Sequence, residues 1–243
     1  MIPKFPSPSK LLEVAGPAAA HIFTAFGAVL GLFALLAAAD GRWQAAFAWL
    51  GAALFVDGAD GPFARYVKVK DRLPRFSGEE LDHVVDYLNY VAVPAFILAK
   101  SSIVPADLRV GTASAIMLAS LYHFADTESK ASEGYFVGFP AIWNLVVLYA
   151  FVLGLPQTLS FVLIALCICL TFVPLYWLHP VRVRRFRPLT AAIGVFWILG
   201  AIVSVWSGFP GPFWAKAAFI CAAIYFVALG LLGTALSKNS NSA

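Results

Sequence analysis

Asp57-Gly-Ala-Asp60-Gly61-Pro-Phe-Ala64-Arg65, then twelve residues, then Gly78-Glu-Glu-Leu-Asp82-His-Val-Val-Asp86: this stretch puts four aspartates at the facing ends of two apolar runs. The runs cover about 44–66 and 81–99. Each is close to the roughly 20 residues that cross a bilayer as a helix at about 1.5 Å per residue. A carboxylate within such a helix costs ~2.5–3.5 kcal/mol, less near an interface. Four of them need a compensating charge. Asp57, Asp60, Gly61 and Ala64 recur at three- and four-residue intervals and share one helix face, and Asp82 and Asp86 share another. Two such helices side by side would gather four hard oxygen donors, a set suited to magnesium or manganese and to the phosphates those ions bridge. Gly61, Ala64 and Gly78 have two readings. They are small residues that let helices pack, or, beside four acids, places where a bulky ligand approaches the backbone.

The rest of the chain agrees with a membrane setting. Of 243 residues, 61% are hydrophobic and 12% charged, with a mean hydropathy of +0.82. Soluble domains carry about 25% charged residues. No stretch is polar enough for a separate soluble unit, so the reading is one transmembrane catalytic domain over 1–243. It has an interfacial segment at about 1–15 and a disordered tail at about 237–243. The run 16–39 exceeds the ~7–15 residues of a signal-peptide core and reads as a retained first span. Cys167, Cys169 and Cys221 lie in apolar runs without metal-ligand spacing and read as packing residues.

Eight candidate spans follow: about 16–39, 44–66, 81–99, 108–125, 140–154, 157–178, 189–207 and 213–236. The expected fold is an all-α polytopic bundle. If both termini share a side, that side holds Lys4, Lys10, Arg65, Lys68, Lys70, Arg72, Arg75, Lys130, Arg182, Arg184, Arg185, Arg187 and Lys238. The other holds Arg42, Lys100, Arg109 and Lys216. The bias places both termini, and the acids, on the cytoplasmic side. The net charge of +4 is explained by basic residues beside anionic lipid. Nucleic acid is a poor partner, because no polar domain carries these charges.

The run Asp57-x-x-Asp60-Gly61-x-x-Ala64-Arg65 with Gly78-x-x-x-Asp82-x-x-x-Asp86 resembles the signature of the CDP-alcohol phosphotransferases. The interval from Arg65 to Gly78 is longer than most of that family shows. It is similar to the bacterial branch that uses choline as acceptor. Gly138-Phe139-Pro140-Ala-Ile-Trp143-Asn144, His179-Pro180-Val-Arg182 and the eight spans resemble the same branch. The resemblance implies that Asp57, Asp60, Asp82 and Asp86 bind divalent metal, Mn2+ or Mg2+, as two ions. Asp86 would also be the general base. It further implies that Thr24, Asp57, Gly61, Ala64, Arg65, Gly78 and Asp82 line the CDP moiety, with Gly27 beside Thr24. The substrates would be CDP-diacylglycerol and choline, the setting the bacterial inner membrane, and the assembly a homodimer.

The implied reaction is attack of the choline hydroxyl on the phosphorus carrying diacylglycerol, with CMP leaving. A quaternary ammonium calls for aromatic faces and a nearby acid. The connection before the fifth span and the start of that span supply Glu133, Tyr135 and Trp143, and Tyr87 and Tyr90 follow Asp86 directly; the alternative for these aromatics is anchoring at the interface. Two other readings stay open. A different alcohol (serine, glycerol phosphate or inositol phosphate) would use the same acids. A cation-coupled transporter would also place carboxylates in a span, but would be expected to show repeated halves. His83 reads as structural, and the arginines at 182–187 as topology determinants or phosphate ligands.

Overall fold

The computed structural model describes residues 8–126, 135–174, 176–178 and 187–240. Within them are eight helical rods, one short helix and one two-stranded ribbon. Helix α1, Pro8–Ala39, and α2, Trp43–Tyr66, are joined by a tight turn. Gly41 takes a left-handed φ of 70° there, and Arg42 pairs with Asp40 at 3.0 Å. So short a link forces antiparallel packing, and these two helices form the most extensive helix pair of the chain. A single turn, α3, Val69–Arg72, separates α2 from α4, Gly78–Asp86. The start of α4 is set by Ser77, whose hydroxyl accepts from the Glu80 backbone N–H at 3.2 Å.

Helix α4 continues without a break into a π-helical segment, Tyr87–Ala92, and then α5, Val93–Lys100. Pro94 explains the wide turn. A proline has no N–H for the carbonyl four residues back, here Tyr90, and its ring presses on that carbonyl. The ladder shifts register ahead of it, and the Val93 N–H donates to the Leu88 carbonyl, five residues back. Helices α6, Arg109–Ala125, α7, Trp143–Leu153, α8, Gln157–Thr171, α9, Arg187–Ser207, and α10, Phe213–Ser240, complete the bundle.

The packing suits lipid as solvent. Small residues meet inside: Ala34, Ala37, Ala38 and Ala46 are fully buried where α1 and α2 touch. Large apolar residues such as Ile22, Phe55, Trp206 and Phe213 point outward. By length and composition, Val14–Ala39, Arg187–Ser207 and Phe213–Leu231 are each apolar enough to cross a membrane.

The eight rods fall where the eight spans were expected, with corrections at their ends. Helix α7, with 11 residues, is roughly 16 Å long against a hydrocarbon core of about 30 Å. The span expected over 157–178 stops being helical at Thr171. Strand β2, Tyr176–Leu178, follows it and pairs antiparallel with β1, Tyr135–Val137. The chain preceding α7 seals the end of α8. Gly138, at φ +78°, sits so close to the Thr171 carbonyl that a Cβ would lie 2.5 Å from it. The Phe139 N–H then donates at 3.0 Å to the Leu170 carbonyl, which also accepts from the Val173 N–H at the end of α8. The segment expected as interfacial, 1–15, is part of α1 from Pro8 onward. The tail expected from 237 remains helical to Ser240.

Two glycines one turn apart on α1 set how close the third rod can come. A Cβ on Gly27 would lie 2.8 Å from Val85 Cγ1, and one on Gly31 would lie 2.5 Å from Asn89 Oδ1. Gly31→Ala therefore overpacks this seam, at a cost of about 1–3 kcal/mol, and lowers the melting temperature in detergent. Gly51→Ala on α2, where nothing lies within 4 Å, produces no such fall. Equal behaviour of the two variants in thermal unfolding would contradict the packing described.

Candidate functional site

The seam between α1, α2 and α4 opens into a small cleft. Helix α1 contributes Thr24 and Gly27, α2 contributes Val56, Asp57 and Asp60, and α4 contributes Asp82, Val85 and Asp86. Asn89 and Tyr90 of the π-helical segment close the inner end. The helical spacings expected from sequence are what aim the acids. Asp57 and Asp60 lie three apart on α2, and Asp82 and Asp86 four apart on α4.

Asp57, Asp82 and Asp86 each offer an oxygen, and these oxygens all lie within 4.8 Å of one another. The Asp57 and Asp86 carboxyls come within hydrogen-bonding reach of each other. Like charges so close repel strongly outside bulk water, and a cation between them reverses the sign of the interaction. The donor set is hard oxygen throughout, with no thiolate or imidazole in the cleft wall. These residues fit Mg2+ or Mn2+ and suit neither zinc nor copper.

Asp60 differs from its expected place. It lines the same cleft and is 7% exposed, but it stands outside the group of three. It is one helical turn beyond Asp57, and its carboxyl lies near Thr24 of α1. The Thr24 hydroxyl also bonds back to the Ala20 carbonyl at 3.3 Å.

The other expected residues sit further out. Gly61, Ala64, Arg65 and Gly78 are not in the cleft wall. The exposed Arg65 folds back along α2, and its guanidinium covers Gly61, with a Cβ there meeting Nη1 at 3.4 Å. Gly78 starts α4 against His21, whose Cε1 would lie 3.3 Å from an added Cβ. His83 faces away from the acids and packs edge-on against Phe124 of α6, ring centroids 6.0 Å apart.

Trp143 is fully buried, packs on Phe139, and donates its indole N–H to Ser120 Oγ at 2.7 Å. It is a core side chain here and does not reach the cleft wall. Asn144 is also buried, and its Oδ1 accepts from the Leu145 N–H. Glu133, His179, Pro180, Arg182, Arg184 and Arg185 lie outside the described residues, as does the Tyr135 side chain. Sequence reasoning missed Asn89 altogether and saw Tyr90 only as an aromatic near the acids. The available signal was Pro94, which forces the wide turn that carries both.

The sequence profile described as CDP-alcohol phosphatidyltransferase matches residues 18–237. The chain is 40% identical over 210 residues to the phosphatidylcholine synthase of Agrobacterium fabrum, covering 86% of this chain and 87% of that protein. It is 39% identical to the phosphatidylcholine synthase of Rhizobium meliloti, covering 87% of this chain and 88% of that one. The phosphatidylcholine synthase of Pseudomonas aeruginosa is 41% identical over 181 residues, 74% of this chain and 76% of the other.

Asp57→Ala removes one of three converging carboxylates. It should abolish most of the rise in melting temperature that Mn2+ produces, whereas Asp60→Ala, outside the group of three, should leave a larger share of it. A Mn2+ titration followed by thermal shift checks the order; the reverse ranking would show that the three acids are not the principal cation ligands.

Proposed function

Because the chain belongs to the CDP-alcohol phosphatidyltransferase family, we propose that its cleft transfers the phosphatidyl group of CDP-diacylglycerol to choline and releases CMP. The observation that carries this is the acid group itself: Asp57, Asp82 and Asp86 converge within a lipid-facing bundle. Relatives at about 40% identity over most of the chain, all phosphatidylcholine synthases, support choline as acceptor.

Asp57, Asp82 and Asp86 would hold a divalent cation, Mn2+ or Mg2+, and Asp60, on the same cleft, would serve a second ion. When bound, such ions supply positive charge against the diphosphate and against the oxygens that gain charge during transfer. Thr24 and Gly27 face the nucleotide from α1, and Gly61, Ala64, Arg65 and Gly78 run along the CDP moiety. Arg65, exposed and with no ion pair among the described residues, has its charge available for a phosphate. Asp86 accepts the proton of the choline hydroxyl. The choline oxygen then forms a bond to the phosphorus bearing diacylglycerol, the bond from that phosphorus to CMP breaks, and CMP takes the electron pair. The surrounding apolar helices exclude water, which would otherwise compete with choline as the nucleophile.

The choline ammonium is read by the connection between α6 and α7, with Glu133 and Tyr135 as its acid and aromatic face. Trp143, a buried side chain at the start of α7, acts on that connection through packing. The whole chain, 1–243, acts as one catalytic domain crossing the bacterial inner membrane eight times, with both termini and the cleft on the cytoplasmic side. A homodimer is the assembly this reading takes over from the family.

Purified protein given labelled choline, CDP-diacylglycerol and Mn2+ should yield labelled phosphatidylcholine and CMP in equal amounts, and EDTA should stop both. Product with serine or glycerol phosphate, and none with choline, would overturn the acceptor. Ion flux without CMP release would overturn the transferase reading. Asp86→Asn should lower turnover by at least the ~10²–10⁴-fold typical of a lost general base while still binding Mn2+ and CDP in part. Near-normal rates would remove Asp86 from that role.

A further inference from the structure

The Tyr90 hydroxyl donates to Asp57 Oδ2 at 2.7 Å, spanning from the π-helical segment to α2. The same segment holds Tyr87, whose hydroxyl goes elsewhere, to the Met117 carbonyl of α6 at 3.3 Å. Two tyrosines three residues apart thus face two different neighbours, and only Tyr90 reaches an acid of the group of three. Asn89, on the same segment and 4% exposed, donates its amide to the Gly27 carbonyl of α1 at 3.1 Å. It pins the wide turn against the close-packed glycine seam. The turn itself follows from Pro94, so the position of Tyr90 is fixed from both sides: by the register shift along the helix and by the anchor to α1.

We propose that Tyr90 is a positioning residue of the cation site, holding the Asp57 carboxylate in the orientation at which it meets Asp82 and Asp86. The inference rests on the cation role of those three acids. A carboxylate on a short side chain rotates freely about its last bond unless one oxygen is engaged. The phenol engages Oδ2 and leaves the other oxygen, and a lone pair of the first, for a cation. Outer partners of this kind commonly account for ~10–100-fold in metal affinity, because they spare the site the entropy of fixing its own ligands. A phenol also adds no charge, so it orients Asp57 without lowering the negative charge that attracts the ion. A lysine or arginine at that place would pair with Asp57 and compete with the cation.

Tyr90→Phe keeps the ring and removes only the donor. In the detergent-purified full chain, the Mn2+ dissociation constant, read by electron paramagnetic resonance of the free ion with no substrate present, should rise on the order of tenfold or more. Tyr87→Phe, which removes an equal hydroxyl bonded to α6, should leave it unchanged. In an Asp57→Asn background, Tyr90→Phe should add little further loss, since the two groups act as one. The metal-free melting temperature should stay near that of the unaltered chain. Unchanged Mn2+ affinity in Tyr90→Phe, an equal loss in Tyr87→Phe, a full additional loss in the Asp57→Asn background, or a metal-free melting drop that accounts for the effect would each overturn the proposal. Failure of the unaltered chain to bind Mn2+ would instead overturn the cation reading on which it rests.

Discussion

Three carboxylates that approach within 4.8 Å of one another inside a lipid-facing bundle repel, and that repulsion is the constraint around which the first three rods are arranged. Two helices carrying those charges would separate if nothing else held them. α1 holds them. Its glycine pair at 27 and 31 lets Val85 and Asn89 come into contact with its backbone, and Asn89 bonds the Gly27 carbonyl directly. On its other side it runs along α2 through an alanine seam. The scaffold thus fixes both charged helices to a third, uncharged surface, and leaves their acids no freedom to relax apart.

The bundle around this site follows the logic of a chain dissolved in lipid. There is no hydrophobic gain from hiding leucine inside when the solvent is itself hydrocarbon. Close backbone approach and satisfied polar groups take over. Several polar side chains accordingly bond locally or across helices: buried Trp143 to Ser120, buried Ser204 to the Gly200 carbonyl, and half-buried Thr190 with Tyr225. The same economy applies at the cleft, where Tyr90 and Thr24 provide neutral hydrogen bonds beside the acids. Cationic side chains stay outside, so that the negative field remains available for ions and, through them, for a diphosphate.

That arrangement explains how a membrane enzyme can join a lipid-linked nucleotide to a small cationic alcohol. A permanently cationic acceptor benefits from a net negative site and needs no ordered basic residues of its own. The chemistry asks little of the protein beyond placement and charge. This matches a site composed of four aspartates, small residues and a few neutral donors, with no nucleophile of its own.

Much of this was legible from spacing alone. Acids three and four residues apart in apolar runs, with glycines among them, pointed to the rods and to the gathering of acids, because helix periodicity and the cost of charge in lipid are local rules. Which acids meet could not be read that way. Asp57, Asp82 and Asp86 converge while Asp60 stands outside that group near Thr24, since that depends on how α1 packs against α2 and α4 together. Trp143, plausible in sequence as an exposed aromatic face, became a core side chain because α6 offered Ser120 to its indole. The π-helical turn and the Tyr90 contact with Asp57 likewise arise only when Pro94, the glycine seam and α2 act on one segment together. The sequence by itself determined the helices and the chemistry of their side chains; the tertiary structure decided the rotation of each helix about its axis, because that is settled by packing between partners the local pattern does not contain.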